Sequence, residues 1–201
     1  MALNIEQIRI ERDERVLLDG FDLQAQPGEL IQIAGPNGAG KSTLLRAIAG
    51  LYSEFSGLIQ IQGESAAAER RRRVLMWTAL AGVKARLDAR QNLKWLMDLR
   101  GDQGDLDGLL AQVGLYGWED ALAGTLSTGQ ARRIALASLY ANDAPVWLLD
   151  EPFNAIDVQG QALLALRIRE RLSQGGAVLL ATHHTPSDLM PDQVLELGAS
   201  E

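Results

Sequence analysis

The chain has 201 residues, enough for one large domain or a core domain with an inserted lobe, and its 47% apolar content is that of a globular protein with a proper core. A net charge of −7, from 19 basic and 26 acidic residues, argues against nucleic acid as a partner. The absence of cysteine removes disulfides and cysteine-held zinc, and no run approaches the ~18 apolar residues of a membrane-spanning helix, so any spans would have to come from another subunit.

The first residues, Met1 to Glu6, carry acid early and lack the basic-then-apolar layout of a signal peptide. Alternation of Ile8 and Ile10 with Arg9 and Glu11, and of Phe21 and Leu23 with Asp22 and Gln24, predicts short half-buried strands. Pro27-Gly28 turns the chain into a buried strand over residues 30–34. Then comes Gly35-Pro36-Asn37-Gly38-Ala39-Gly40-Lys41-Ser42-Thr43, which matches the phosphate-loop pattern G-x-x-x-x-G-K-[ST] and runs into a helix through residues 44–49. Small residues let the backbone wrap a phosphate, and the helix N-terminus aims N–H groups at it. Lys41 then reaches the β- and γ-phosphates, and the Ser42 hydroxyl can ligate Mg²⁺.

Residues 58–61 read as a further strand, and the arginine run 70–73 as a solvated turn before the next one. From about 85 to 141 the texture is helical, with Leu93, Leu96 and Met97, then Leu106, Leu109, Leu110 and Val113, at helical spacing. Strands return at 145–149 and 177–181, with a helix at 159–172 between them. Apolar strands alternating with helices predict an α/β class with a largely parallel sheet buried on both faces. The expectation is a single domain over 1–201, with a core of 1–78 and 142–201 and an inserted helical lobe at about 79–141.

Asp150 and Glu151 close an apolar strand at the end of the sheet where the phosphate loop also sits. Asp150 suits Mg²⁺, and Glu151 suits the water that attacks the γ-phosphate. Leu126-Ser127-Thr128-Gly129-Gln130 opens a helix as a capping box, Ser127-x-x-Gln130.

At this stretch the chain resembles the ATP-binding-cassette (ABC) ATPases, whose Leu-Ser-x-Gly-Gln signature lies between a phosphate loop and a Walker B strand. The resemblance implies a P-loop NTPase fold of the ABC nucleotide-binding type, with a parallel sheet core, N-terminal antiparallel β-strands and an inserted helical lobe. It implies ATP and Mg²⁺ as ligands and a head-to-tail homodimer in which Ser127 and Gly129 of one copy cap the γ-phosphate held by the other. Asn154-Ala155-Ile156-Asp157 fits the family's D-loop, and His183 its switch histidine. Arg12 stands where the family stacks an aromatic ring on adenine. Leu80 stands where the family carries the Q-loop glutamine; a leucine can neither ligate metal nor orient water, and Gln91 lies too far on to replace it.

Further stretches, among them Gly82-Val83-Lys84, Asn92-Leu93 and the run from Glu151 to Gly160, resemble the ATP-binding subunits of cytochrome c maturation complexes, the so-called haem exporters. That resemblance implies integral membrane partner subunits, a place on the cytoplasmic face of the inner membrane, and ATP turnover coupled to haem handling or release of a haem-loaded chaperone. Other readings are the ATPase of another small ABC transporter or a slowly hydrolysing regulatory cassette. Chromosome-maintenance ATPases are excluded by the short, heptad-free gap between Lys41 and Leu126, and excision-repair types by the missing cysteines.

Overall fold

The structure, a computed structural model, describes all residues except 79–81, 155, 184 and 199–201. The chain forms two compact units, one of residues 1–77, 144–152 and 168–201, the other of residues 78–143 and 153–167.

In the first unit, β1 (Leu3–Arg12), β2 (Arg15–Ala25) and β4 (Phe55–Ile61) make an antiparallel sheet in the order β2-β1-β4; β3 is Leu30–Ala34. A second sheet has the order β5-β6-β7-β3-β8, with β5 at Val74–Thr78, β6 at Val146–Asp150, β7 at Ala177–Ala181 and β8 at Gln193–Glu196. Its strands β6, β7, β3 and β8 run parallel. Strand β7 is buried along its whole length and β6 up to Leu149, which is why both read as unbroken apolar runs rather than alternations. The α/β architecture with its N-terminal antiparallel strands is the expected one.

Helix α1 (Lys41–Ile48) follows β3, and Leu44, Leu45 and Ile48 join Ile5, Ile10, Ile31, Ile59, Leu148 and Leu179 in one buried cluster. Those side chains tie the phosphate loop's helix to both sheets.

The arginine run is not a solvated turn. It lies in a short helix, α2 (Ala67–Arg73), and Arg70 is 5% exposed. Its guanidinium donates to the carbonyls of Ala47 and Ile48 at 3.2 Å, Ile59 at 3.3 Å and Ser65 at 2.6 Å. The first two belong to the last turn of α1, where a helix leaves carbonyls without partners and favours a cation. The ring of Phe55 lies 5.8 Å below. Desolvation lowers the Arg70 pKa, and the charge of Arg71 adds to it.

The second unit packs α3 (Ala89–Asp98) and α4 (Leu106–Gln112) on α5 (Thr128–Tyr140), and takes in the first part of α6 (Val158–Ser173). It therefore extends beyond the inserted stretch 79–141. Asp88 with Gln91, and Ser127 with Gln130, form complete capping boxes. No helix among the described residues is long and apolar enough to cross a membrane.

Candidate functional site

Strand β3 ends in a loop that wraps back on itself at Gly35. Its φ is +134°, and a Cβ built there would lie 2.3 Å from the Leu197 carbonyl oxygen, so only glycine fits. Five residues on, Gly40 caps α1 without a side chain. The N–H groups of the first helical turn, which have no carbonyls within the helix, are left for a ligand.

Lys41 sends its Nζ back over the loop, donating to the carbonyl of Gly35 and, at 3.2 Å, to that of Pro36. Nζ also lies 3.1 Å from His183 Nε2, which is 3.1 Å from Asn37 Oδ1 and 3.6 Å from Glu151 Oε1. Nε2 can accept from Lys41 only when it carries no proton, and donate to Asn37 or Glu151 only when it does.

Glu151 sits just past β6 with φ +47°, a left-handed conformation costing a non-glycine residue about 1–2 kcal/mol. Its N–H is anchored on the Ala181 carbonyl at 2.8 Å, at the end of β7 beside the segment that carries His183. The strained turn directs the carboxylate to the loop instead of along the strand.

Lys41, Asn37 and Glu151 border one open cleft of about 490 Å³, lined by Arg12, Asp13, Arg15, Leu17, the loop from Pro36 to Thr43, Asp150 and Glu151. Ser42 and Asp150 supply a hydroxyl and a carboxylate. Among the described residues no three or more His, Asp or Glu side chains form a metal cage. A nucleotide's Mg²⁺ needs none, because it is held by one or two side chains together with substrate phosphates and water. The donors fit Mg²⁺, and the glycine-lined loop with its lysine fits a triphosphate.

Ser127 and Gly129 lie in the second unit, at the start of α5. Ser127 Oγ accepts from the Gln130 N–H at 3.2 Å, which leaves its own hydrogen free to donate. At Gly129 a Cβ would stand 2.9–3.0 Å from the side chain of Asp157, so α5 packs on Asp157 there without a gap. Asp157 accepts from the Gly160 N–H at 3.0 Å and from Arg133 Nη2 at 3.0 Å; Arg133 is 7% exposed and also binds Gln159 at 2.9 Å. Arg132 donates to the Asn154 carbonyl at 3.1 Å. The sequence reading overlooked this pairing, because it treated the signature and the D-loop as separate motifs. Position 80 lies outside the described residues, while Gln91 is occupied in its capping box with Asp88.

The chain matches the ABC transporter family over residues 18–154 and belongs to it, as an ATP-binding cassette. Among solved structures, it superimposes with a TM-score of 0.82 on one described as an ABC transporter ATP-binding protein of Pyrococcus furiosus, at 25% identity over 97% of this chain and 96% of that one. A second, cbiO1 of Clostridium perfringens, gives a TM-score of 0.78 at 22% identity, covering 98% and 84%, and supports the fold alone. Within the family the chain groups with the cytochrome c biogenesis ATP-binding export proteins. It is 43% identical to the CcmA protein of that description from Pseudomonas fluorescens, over 92% of this chain and 90% of the relative. With the Salmonella typhi protein the identity is 45%, over 90% and 89%.

Proposed function

We propose that this chain is the ATP-hydrolysing subunit of a membrane complex for cytochrome c maturation, peripheral on the cytoplasmic face of the inner membrane. It couples ATP turnover to haem handling or to release of a haem-loaded chaperone. The observation that carries the ATPase reading is the convergence of Lys41, Ser42, Asp150 and Glu151 on one cleft, with His183 joined to Lys41, Asn37 and Glu151. The names of the curated relatives support the pathway.

In this reading Gly35 to Thr43 hold the triphosphate, with Lys41 exchanging its main-chain acceptors for β- and γ-oxygens. Ser42 and Asp150 hold Mg²⁺, which when bound neutralises charge on those oxygens. Glu151 takes the proton of the attacking water, and His183 hydrogen-bonds the γ-phosphate. Arg12, which lines the same cleft, stacks its guanidinium on the base in this reading. Ser127 and Gly129 act from a second copy in a head-to-tail homodimer, where the Ser127 hydroxyl and the N-terminus of α5 meet the γ-phosphate.

The test is complementation of a bacterium lacking its own cytochrome c maturation ATPase. The parent chain should restore covalent haem attachment, and Glu151→Gln should not. If the parent hydrolyses ATP with its membrane subunits yet fails to restore attachment, the pathway assignment falls while the ATPase reading stands.

A further inference from the structure

We infer that Asn92 is a positioning residue for the signature serine. It holds the turn at residues 84–88, on which the segment leading into Ser127 is built, and so sets how well one copy caps the nucleotide of the other. The inference rests on the trans-capping reading of Ser127 and adds the side chain that keeps the cap in place.

Asn92-Leu93 is a stretch to which the ATPase chemistry assigns no task. Asn92 sits near the start of α3 and is fully buried, yet its amide bonds only to main chain. Oδ1 accepts from the Lys84 N–H at 2.7 Å. Nδ2 faces the carbonyls of Lys84 at 3.0 Å, Leu87 at 3.1 Å and Asp88 at 2.9 Å. One side chain thus serves both ends of the turn. The chemistry demands an amide: aspartate would turn a second oxygen towards three carbonyls, and leucine would leave the carbonyls and the N–H bare. A buried amide is costly unless bonded, and what this one stabilises is the path of the main chain rather than apolar packing.

That path is what the signature segment rests on. The Ala85 carbonyl accepts from the Gly124 N–H at 3.0 Å, and the Leu87 carbonyl from the Ala123 N–H at 2.9 Å. Asp88 and Leu122 form an antiparallel bridge. A Cβ at Gly124 would stand 3.0 Å from the Ala85 carbonyl oxygen and 3.2 Å from its Cβ, so the two segments meet with no slack. Ala123–Thr125 is a single 3-10 turn, the Leu126 N–H returns to the Ala123 carbonyl at 3.3 Å, and Ser127 follows as the cap of α5. The Leu87 carbonyl, shared by Asn92 and Ala123, therefore lies only a short main-chain path from the Ser127 hydroxyl. All these residues belong to the second unit. A shift of the turn carries Ser127 with it, and a hydroxyl bond to a γ-phosphate weakens steeply with distance and angle.

The test uses the full chain in the Glu151→Gln background. Asn92→Ala should weaken the ATP-dependent dimer at least about tenfold by light scattering. Mg-ADP lacks the capped phosphate and should bind each chain with unchanged affinity by calorimetry. Leu110→Ala, buried in α4 and outside the turn, is the control for general loss of stability in the helical unit. It should lower the melting temperature comparably and leave the dimer little changed. Gly124→Val strains the same junction from its other side and should repeat the pattern of Asn92→Ala, which keeps the inference testable if Asn92→Ala does not fold. Undiminished dimer affinity in these turn variants, losses matched by Leu110→Ala, or weakened Mg-ADP binding in Asn92→Ala would overturn the inference alone. Absence of an ATP-dependent dimer in Glu151→Gln itself, with or without the membrane subunits, would overturn the trans-capping reading and this inference with it.

Discussion

Replacing Arg70 by methionine keeps the apolar stem and removes every donor. The four carbonyls it serves, at Ala47, Ile48, Ile59 and Ser65, then lose a partner each. A fully orphaned buried acceptor costs about 1–3 kcal/mol, which sets an upper sum near ~12 kcal/mol. Three effects reduce it. The Ala47 carbonyl also accepts from the Gly50 N–H. Ser65 is exposed, so water can replace the lost donor. Removing the cation also relieves the desolvation that lowers its pKa. The expected loss is about 2–4 kcal/mol, or roughly 4–16 °C in melting temperature for a chain of this size. The control is Arg71→Met, one residue on, which is exposed and should change stability by no more than about 0.5 kcal/mol. Thermal and urea unfolding of both variants, followed by circular dichroism, decide the matter. If Arg70→Met proves as benign as Arg71→Met, the guanidinium does not hold the end of α1, and the anchoring argument fails.

Lys41→Ala leaves the triphosphate compensated by Mg²⁺ and main-chain dipoles without the lysine and should weaken Mg-ATP binding by at least about tenfold in a direct titration; unchanged affinity would refute the phosphate-loop role. Glu151→Gln should retain ATP but slow hydrolysis by about 10²–10⁴-fold. Light scattering of that variant should then show an ATP-dependent dimer, with or without the membrane subunits; a monomer under both conditions would defeat trans capping. Leu80→Gln should raise the ATPase rate, whereas a lower melting temperature with no gain in turnover would mean that position 80 is an ordinary apolar contact. Asp102 has its pKa raised, first by burial, although the Asn142 amide donates to it at 2.9 Å. Its folded-state pKa lies above the unfolded value, so the stability linked to its neutral form is complete at acid pH and is lost as pH rises through the folded pKa. Asp102→Asn should accordingly be more stable than the parent at pH 7 and indistinguishable near pH 3, as measured by urea midpoints.

The parts of this molecule legible in the sequence are those written in backbone chemistry or strong periodicity. The phosphate loop needs glycines and a lysine at fixed offsets, and β3 and β7 are apolar runs that end where they were expected to end. The position of Asp150 and Glu151 followed from the rule that ligands gather at the carboxyl ends of parallel strands. What escaped depends on partners distant in the chain. Four arginines in a row look solvated, and only the fold shows that one of them meets the final carbonyls of α1. The affiliation of residues 153–167 with the helical unit was hidden because α6 continues unbroken past Arg167 into the first unit. The cross-strand pairing of Arg12 with Arg15 was equally hidden, because Asp13-Glu14 is not a sequence that announces a left-handed turn.

The close approach at Gly129 bears on how loss-of-function data in this region are interpreted. Any side chain there strikes Asp157 before it could reach a neighbouring molecule, and Asp157 in turn holds Arg133 and the start of α6. An inactive Gly129 variant is therefore ambiguous, since the damage can be entirely intramolecular. The informative experiment is a compensating pair. Gly129→Ala combined with Asp157→Gly relieves the collision, at the cost of the Arg133 partner, which Asp157→Gly alone reports. Activity recovered in the pair would locate the original defect inside one chain. Activity that stays lost, beyond the effect of Asp157→Gly alone, would show that glycine is demanded by the second copy.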